Sequence, residues 1–299
     1  MRPTRLLLAG AIAFAMSATP SLSAVAQSDD SPGDVSVVED LVYALDRADD
    51  GAEQKLDAYV GAGGEDAPVV VYTPGRGQRR SFASQLAGAL AERGTTVLVV
   101  DGPLPSPEAA VTNNAEGIRE MVESVACAVR YAPGSEYGSE TAPLVLSGYS
   151  HGGGVASLVA LAGADFTWVG VVYSESAGGL PARYDCTADE ASTRVDGFVG
   201  IAGSYDAFVG YEGRYGRDFM LEHDPELWEV LYSTIGMHPE LRVRLLHTDP
   251  DPIIPYENSV EFEAVLGQAG YDVELTAFDD GHYVPLDLTV DTVMDLLDP

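Results

Sequence analysis

The stretch Leu146-Ser147-Gly148-Tyr149-Ser150-His151-Gly152-Gly153-Gly154 sets a serine between glycines two residues before and two residues after it. An apolar run, Pro143 to Leu146, precedes the motif, and a second, Val155 to Ala162, follows it. The first reads as a short buried strand and the second as a buried helix. A strand that bends sharply into a helix around a serine brings backbone against backbone. Gly148 and Gly152 fit there because neither carries a Cβ. The bend lifts the Ser150 hydroxyl out of the sheet and turns the first unpaired N–H groups of the helix toward whatever that oxygen attacks. The chemistry is nucleophilic attack by a serine oxygen.

Such a serine needs a base, and the base needs a carboxylate to orient it. Downstream, Leu245-Leu246-His247-Thr248-Asp249-Pro250-Asp251-Pro252-Ile253-Ile254-Pro255 reads as a strand running into an acidic turn. Asp251, four residues before Pro255, is the expected acid, with Asp249 as its rival. Phe278-Asp279-Asp280-Gly281-His282-Tyr283-Val284-Pro285 then places His282 after a strand and a glycine turn, where an imidazole can swing over the sheet. His223, His238 and His247 sit in no motif and read as structural. The order serine, acid, histidine is the one found where a catalytic serine sits on such a strand-to-helix turn.

The charge that develops on an attacked carbonyl oxygen needs N–H donors. One is the N–H of His151, whose side chain is expected to point away. The others come from the loop after Val69-Val70-Val71-Tyr72, where Pro74-Gly75-Arg76-Gly77 permits a sharp bend. Gly75 and Arg76 are the expected donors, since Pro74 has no N–H.

These parts need a rigid frame. Val37 to Ala44 and Leu56 to Val60 read as strands flanking the turn Asp49-Asp50-Gly51. Val69 to Tyr72 and Val97 to Asp101 are runs of the kind buried on both faces. Ser84 to Glu92 and Thr112 to Tyr131 read as helices; on the second, Ile118, Met121, Val122 and Val125 share a face. Further strands are read at Val195 to Ser204, Arg242 to His247 and Val273 to Phe278. The alternation implies an α/β fold: a mostly parallel central sheet covered by helices on both faces. Two segments, about 164–194 and 207–238, break the alternation and read as inserted, cap-like pieces. The second is rich in aromatics (Phe208, Tyr211, Tyr215, Phe219, Trp228, Tyr232), which read first as local packing.

The 299-residue chain begins with Arg2 and Arg5, then an apolar core from Leu6 to Met16 and a small-x-small site at Ala24-Val25-Ala26. Residues 1–26 therefore read as a secretory signal peptide cleaved near Ala26-Gln27, residues 27–36 as an exposed arm, and 37–299 as one domain. The formal net charge is −31 and Lys55 is the sole lysine. Such a surface repels nucleic acid and anionic membranes, so neither is an expected partner. Cys127 and Cys186, the only two cysteines, are expected to pair in an exported protein. No Cys-x-x-Cys or histidine cluster points to a metal, and no cofactor is expected.

With these parts placed, the chain resembles the α/β-hydrolase superfamily across residues 37–299. Within it, the similarity is to small esterases of the acetyl-esterase and feruloyl-esterase-like group. Val42-Tyr43 with Gln54-Lys55-Leu56-Asp57-Ala58-Tyr59 matches the two leading strands, and Gly148-Tyr149-Ser150-His151-Gly152-Gly153 the nucleophile turn. Asp196 to Asp206 matches the strand after the nucleophile helix, and Asp251 to Pro255 with Gly281-His282 the acid and base. Where that group has His-Gly-Gly in the oxyanion loop, this chain has Pro74-Gly75-Arg76. The resemblance implies an exported serine hydrolase acting on small neutral carboxylic esters through Ser150, His282 and Asp251. A peptidase, thioesterase or acyltransferase could use the same three residues, and a binding protein could keep the scaffold without the chemistry.

Overall fold

The computed structural model describes residues 35–47, 49–64, 66–102, 114–163, 183–188, 191–209, 217–223, 225–279 and 281–297. The leader, most of the exposed arm, most of the first insert and part of the second, with Tyr211 and Tyr215, lie outside the described residues.

Strands β1 (Ser36–Asp46) and β2 (Ala52–Val60) form an antiparallel hairpin. Its turn uses positive φ at Asp50 (47°) and Gly51 (81°), and the Gly51 N–H donates to Asp46 O at 2.9 Å. Strand β3 (Val69–Thr73), helix α1 (Ser84–Glu92), strand β4 (Thr96–Val100) and helix α2 (Asn114–Gly134) follow. Next come β5 (Leu144–Tyr149), α3 (His151–Ala162), a short β6 (Tyr184–Cys186) and β7 (Gly197–Ile201). The chain continues through α4 (Arg217–His223), α5 (Pro225–Ser233), β8 (Arg242–Thr248), α6 (Tyr256–Gln268), β9 (Asp272–Phe278) and α7 (Leu286–Leu297).

Among the described residues nine strands make one sheet in the order β6-β1-β2-β4-β3-β5-β7-β8-β9. The pairs β6–β1, β1–β2 and β2–β4 are antiparallel, and those from β4 to β9 are parallel. All five residues of β3, β4 and β7 are buried. Side chains alternate between faces along a strand, and each face has its own helices. Val70, Tyr72, Val97, Val99, Val145, Val199 and Leu246 pack with Ala87 and Leu90 of α1 and Val290, Val293 and Leu296 of α7. Val69, Val71, Leu98, Leu146, Phe198, Val243 and Leu245 pack with Val122 and Val125 of α2, Val155 and Val159 of α3, and Phe262 and Leu266 of α6. A continuous apolar run is what a strand covered on both faces requires.

Helices α6 and α7 were not expected from the sequence. Neither was β6, which falls inside the first insert, pairs with β1 and carries Cys186. Cys186 is disulfide-bonded to Cys127 on α2, the pairing expected of two cysteines in a chain read as exported. Arg183, just before β6, reaches Asp46 at 2.7 Å and Glu120 at 2.5 Å. The described part of the second insert contains α4 and α5. There Phe208 stacks on Phe262 in the core (5.2 Å) and Trp228 on Tyr232 (4.8 Å), so these aromatics pack locally.

Candidate active site

The site lies at the carboxyl end of the parallel strands, where β5 turns into α3. Ser150 holds φ 53° and ψ −125°, a region that costs a non-glycine residue about 1–3 kcal/mol. The surrounding backbone holds it there. Its N–H donates to Ile201 O (2.8 Å) at the end of β7, and its carbonyl accepts from Ser204 N–H (3.1 Å) and Gly153 N–H (3.0 Å). A Cβ on Gly148 would lie 2.6 Å from Gly152 O, and one on Gly152 would lie 2.1 Å from Pro74 O and 2.4 Å from Thr73 O. The turn therefore exists only with glycine on both sides of the serine, and it also seats the β3 loop against the start of α3.

His282 reaches the serine from the loop after β9. Its Nε2 is 3.2 Å from Ser150 Oγ and its Nδ1 is 2.5 Å from Asp251 Oδ2. A carboxylate only accepts, so Nδ1 carries the proton and Nε2 presents its lone pair to the serine hydroxyl. The Asp251 side chain is fully buried. Its Oδ1 accepts the backbone N–H groups of Ile253 (2.7 Å) and Ile254 (3.0 Å). Burial pushes the Asp251 carboxyl up, but the hydrogen bonds from His282, Ile253 and Ile254 outweigh it and hold the group below the ordinary aspartate range. Asp251 is therefore ionised at neutral pH. Asp249, its rival in sequence, is exposed and precedes a cis Asp249–Pro250 bond.

His247 read as a structural histidine, yet it touches the acid. Its Nε2 is 3.2 Å from Asp251 Oδ2 and 3.0 Å from Ile254 O, and its Nδ1 is 2.6 Å from Ser259 Oγ. Burial holds its pKa below the usual histidine value. The one sequence sign was a histidine near the end of β8, after Leu245 and Leu246 and four residues before Asp251.

Of the three expected oxyanion donors, Gly75 already has an acceptor. Its N–H donates to the Gln78 side-chain Oε1 at 2.8 Å, so the loop closes on itself at that amide. The His151 ring reaches α2, with Nε2 3.3 Å from Met121 Sδ. Burial, with the Arg76 guanidinium nearby, lowers its pKa to about 4. His238 bonds to Ala160 O at 3.2 Å inside the core.

Behind His282, Tyr149 packs its ring 5.1 Å from the imidazole and is flanked by Phe82 (6.1 Å) and Tyr283 (6.3 Å). These aromatics line a cavity of about 280 Å³. A larger, charged cavity of about 600 Å³ lies over β1, β2 and α2, and is lined by none of Ser150, Asp251 and His282. Among the described residues no group of three or more His, Cys, Asp or Glu is placed to hold a metal ion.

No protein-family model matches the sequence, and no curated protein is significantly similar to it. Solved structures are similar in fold. A bifunctional GH43-CE protein of Bacteroides eggerthii matches with TM-score 0.62 and 19% identity over 87% of this chain; the chain spans 37% of that protein's length. A truncated carbohydrate esterase from gut microbiota matches with TM-score 0.65 and 16% identity over 91% of this chain and 100% of that one. Esterase 2 of Thermogutta terrifontis, phosphoramylated by tabun, matches with TM-score 0.56 and 17% identity over 91% and 98% of the two chains. With the strand order above, these likenesses identify the architecture as the α/β-hydrolase fold.

Proposed function

We propose that this chain is an exported serine hydrolase that cleaves carboxylic esters through an acyl-enzyme. The observation that carries the reading is the unbroken chain from Ser150 Oγ to His282 Nε2 (3.2 Å) and from His282 Nδ1 to Asp251 Oδ2 (2.5 Å). Ser150 attacks the acyl carbon while His282 Nε2 takes its proton. Asp251, ionised and buried, stabilises the imidazolium and keeps its tautomer. The N–H groups of His151 and Arg76 receive the oxyanion. His282 then returns the proton to the leaving oxygen as the C–O bond breaks and the alcohol departs. Water attacks the acyl-enzyme, His282 takes its proton, and the acid leaves with Ser150 restored.

The substrate in this reading is a neutral, short-chain ester or an acetylated sugar. A formal charge of −31 repels anionic substrates. Arg76 places a cation in the loop of expected donors, and its guanidinium acts on His151. Among solved structures of the same fold, one is a carbohydrate esterase. The leader at residues 1–26, followed by one catalytic domain with two inserts, and the Cys127–Cys186 bond both suit an oxidising compartment outside the cytosol.

The test is a series of p-nitrophenyl esters from acetate to palmitate, with p-nitrophenyl phosphate as control. Turnover that is highest on the short esters, falls with chain length and is nil on phosphate is expected. A folded protein that turns over none of the esters contradicts the reading.

A further inference from the structure

His247 is fully buried at the end of β8, on the face where Val243 and Leu245 pack into the core. A buried imidazole is costly unless its nitrogens are bonded, and both of these are. Ile254 O and Asp251 Oδ2, at 3.0 and 3.2 Å from Nε2, are both acceptors. Only a proton on Nε2 avoids setting a lone pair against two oxygens. Nδ1 must then accept, and the Ser259 hydroxyl at 2.6 Å supplies the proton. Ser259 sits in α6 and is itself buried. A helix hydroxyl thus selects the tautomer of a strand imidazole, whose Nε2–H donates to Ile254 O and lies 3.2 Å from the carboxylate of Asp251, four residues along the chain.

The effect on Asp251 is geometric. Its Oδ1 is held by the Ile253 and Ile254 amides, and its Oδ2 lies between His247 and His282. The plane of the carboxylate is therefore fixed on both oxygens before His282 is counted. Without the His247 donor, Oδ2 would be oriented by His282 alone, the group it is supposed to orient. The His247 N–H also grips Ile254 O, so the loop bearing Asp251 is tied to β8 and α6 together.

We propose that His247, set by Ser259, is a positioning residue that holds the Asp251 carboxylate in line with His282, extending the serine-histidine-aspartate chain to a fourth member. This inference rests on the reading of Ser150, His282 and Asp251 as the catalytic set.

The experiment compares kcat and KM on p-nitrophenyl acetate for wild type, Ser150→Ala, His247→Phe, His247→Gln and Ser259→Ala, with circular dichroism as a check on folding. Misplacement of a catalytic group on the ångström scale costs up to about a hundredfold. His247→Phe is expected to lower kcat by about tenfold to a hundredfold with KM within about twofold. His247→Gln, which keeps an N–H donor near the Nε2 position, is expected to recover most of that loss. Ser259→Ala, which frees the tautomer but keeps the ring, is expected to fall between Phe and wild type. A folded His247→Phe enzyme with wild-type kcat overturns the inference, as does a glutamine variant no faster than the phenylalanine one. If His247→Phe does not fold, the decision passes to Ser259→Ala: a threefold or greater loss in kcat supports the inference and an unchanged kcat overturns it. Full activity in Ser150→Ala would instead refute the underlying catalytic reading, so the two failures are distinct.

Discussion

Asp251 Oδ2 and His282 Nδ1 lie 2.5 Å apart although 31 residues of chain separate them. Helix α6 and strand β9 fill that interval and return the chain to the same end of the sheet. The two-proline turn that carries Asp251 is closed by its own Oδ1, which caps the Ile253 and Ile254 amides. The acid is thus part of the turn that presents it.

Asp251→Asn is predicted to lower kcat on p-nitrophenyl acetate by about 10⁴-fold, because the amide favours the wrong imidazole tautomer. Asp249→Asn, at an exposed position, is predicted to stay within about twofold, the limit of an effect that touches no reacting group. Steady-state kinetics of the two variants side by side decides between the acids.

Gly152→Ala is predicted to damage both stability and turnover. The added Cβ would meet Pro74 O at 2.1 Å and Thr73 O at 2.4 Å. Relieving that overlap should cost roughly 3 kcal/mol, as overpacking elsewhere does. It should also push the loop bearing Arg76 away from Ser150. Denaturant melts and kcat measured on one preparation test both halves. Gly281→Ala is the contrast: a Cβ there meets nothing within 4 Å, and only the positive φ of 68° opposes it.

The Cys127–Cys186 bond is predicted to stabilise the fold by about 4 kcal/mol for its separation of 59 residues, on the chain-entropy account. It joins α2 to the edge strand β6, which three residues of pairing with β1 would otherwise hold. Thermal melts with and without reductant, and of Cys127→Ala with Cys186→Ala, give the difference. Free, alkylatable thiols in the unreduced protein would contradict it.

His151 gives stability a defined pH dependence. Its pKa is lowered from 6.5 to about 4 on folding, so between those values the unfolded chain binds a proton that the native chain refuses. Stability therefore falls as pH drops from 6.5 towards 4, by about 2 kcal/mol at pH 5 from this group. His151→Phe, which keeps a ring against Met121, removes the term. The difference between pH 7 and pH 5 in urea unfolding should shrink by about that amount in the variant.

Much of the site was legible because its parts carry backbone constraints. A serine between obligatory glycines, an acid in a proline turn and a histidine after a glycine turn each leave a mark on the sequence. Strands β3, β4 and β7 were legible for a similar reason, since burial on both faces leaves an unbroken apolar run. What the sequence did not reveal depends on distant partners. Strand β6 is three residues long and exists through pairing with β1, so no periodicity announces it. Gly75 kept the right residue type for an oxyanion donor, but the Gln78 side chain takes its N–H. His247 read as a lone structural histidine because nothing local says that Asp251 and Ser259 close around it.

The central claim is that Ser150 is the nucleophile. Wild-type protein is treated with a fluorophosphonate probe, digested and mapped by mass spectrometry beside Ser150→Ala. The account predicts one covalent adduct, on Ser150, whose formation abolishes turnover of p-nitrophenyl acetate, and predicts neither adduct nor turnover in Ser150→Ala. Ester turnover that survives in folded Ser150→Ala, or an inactivating adduct on another residue, would contradict it.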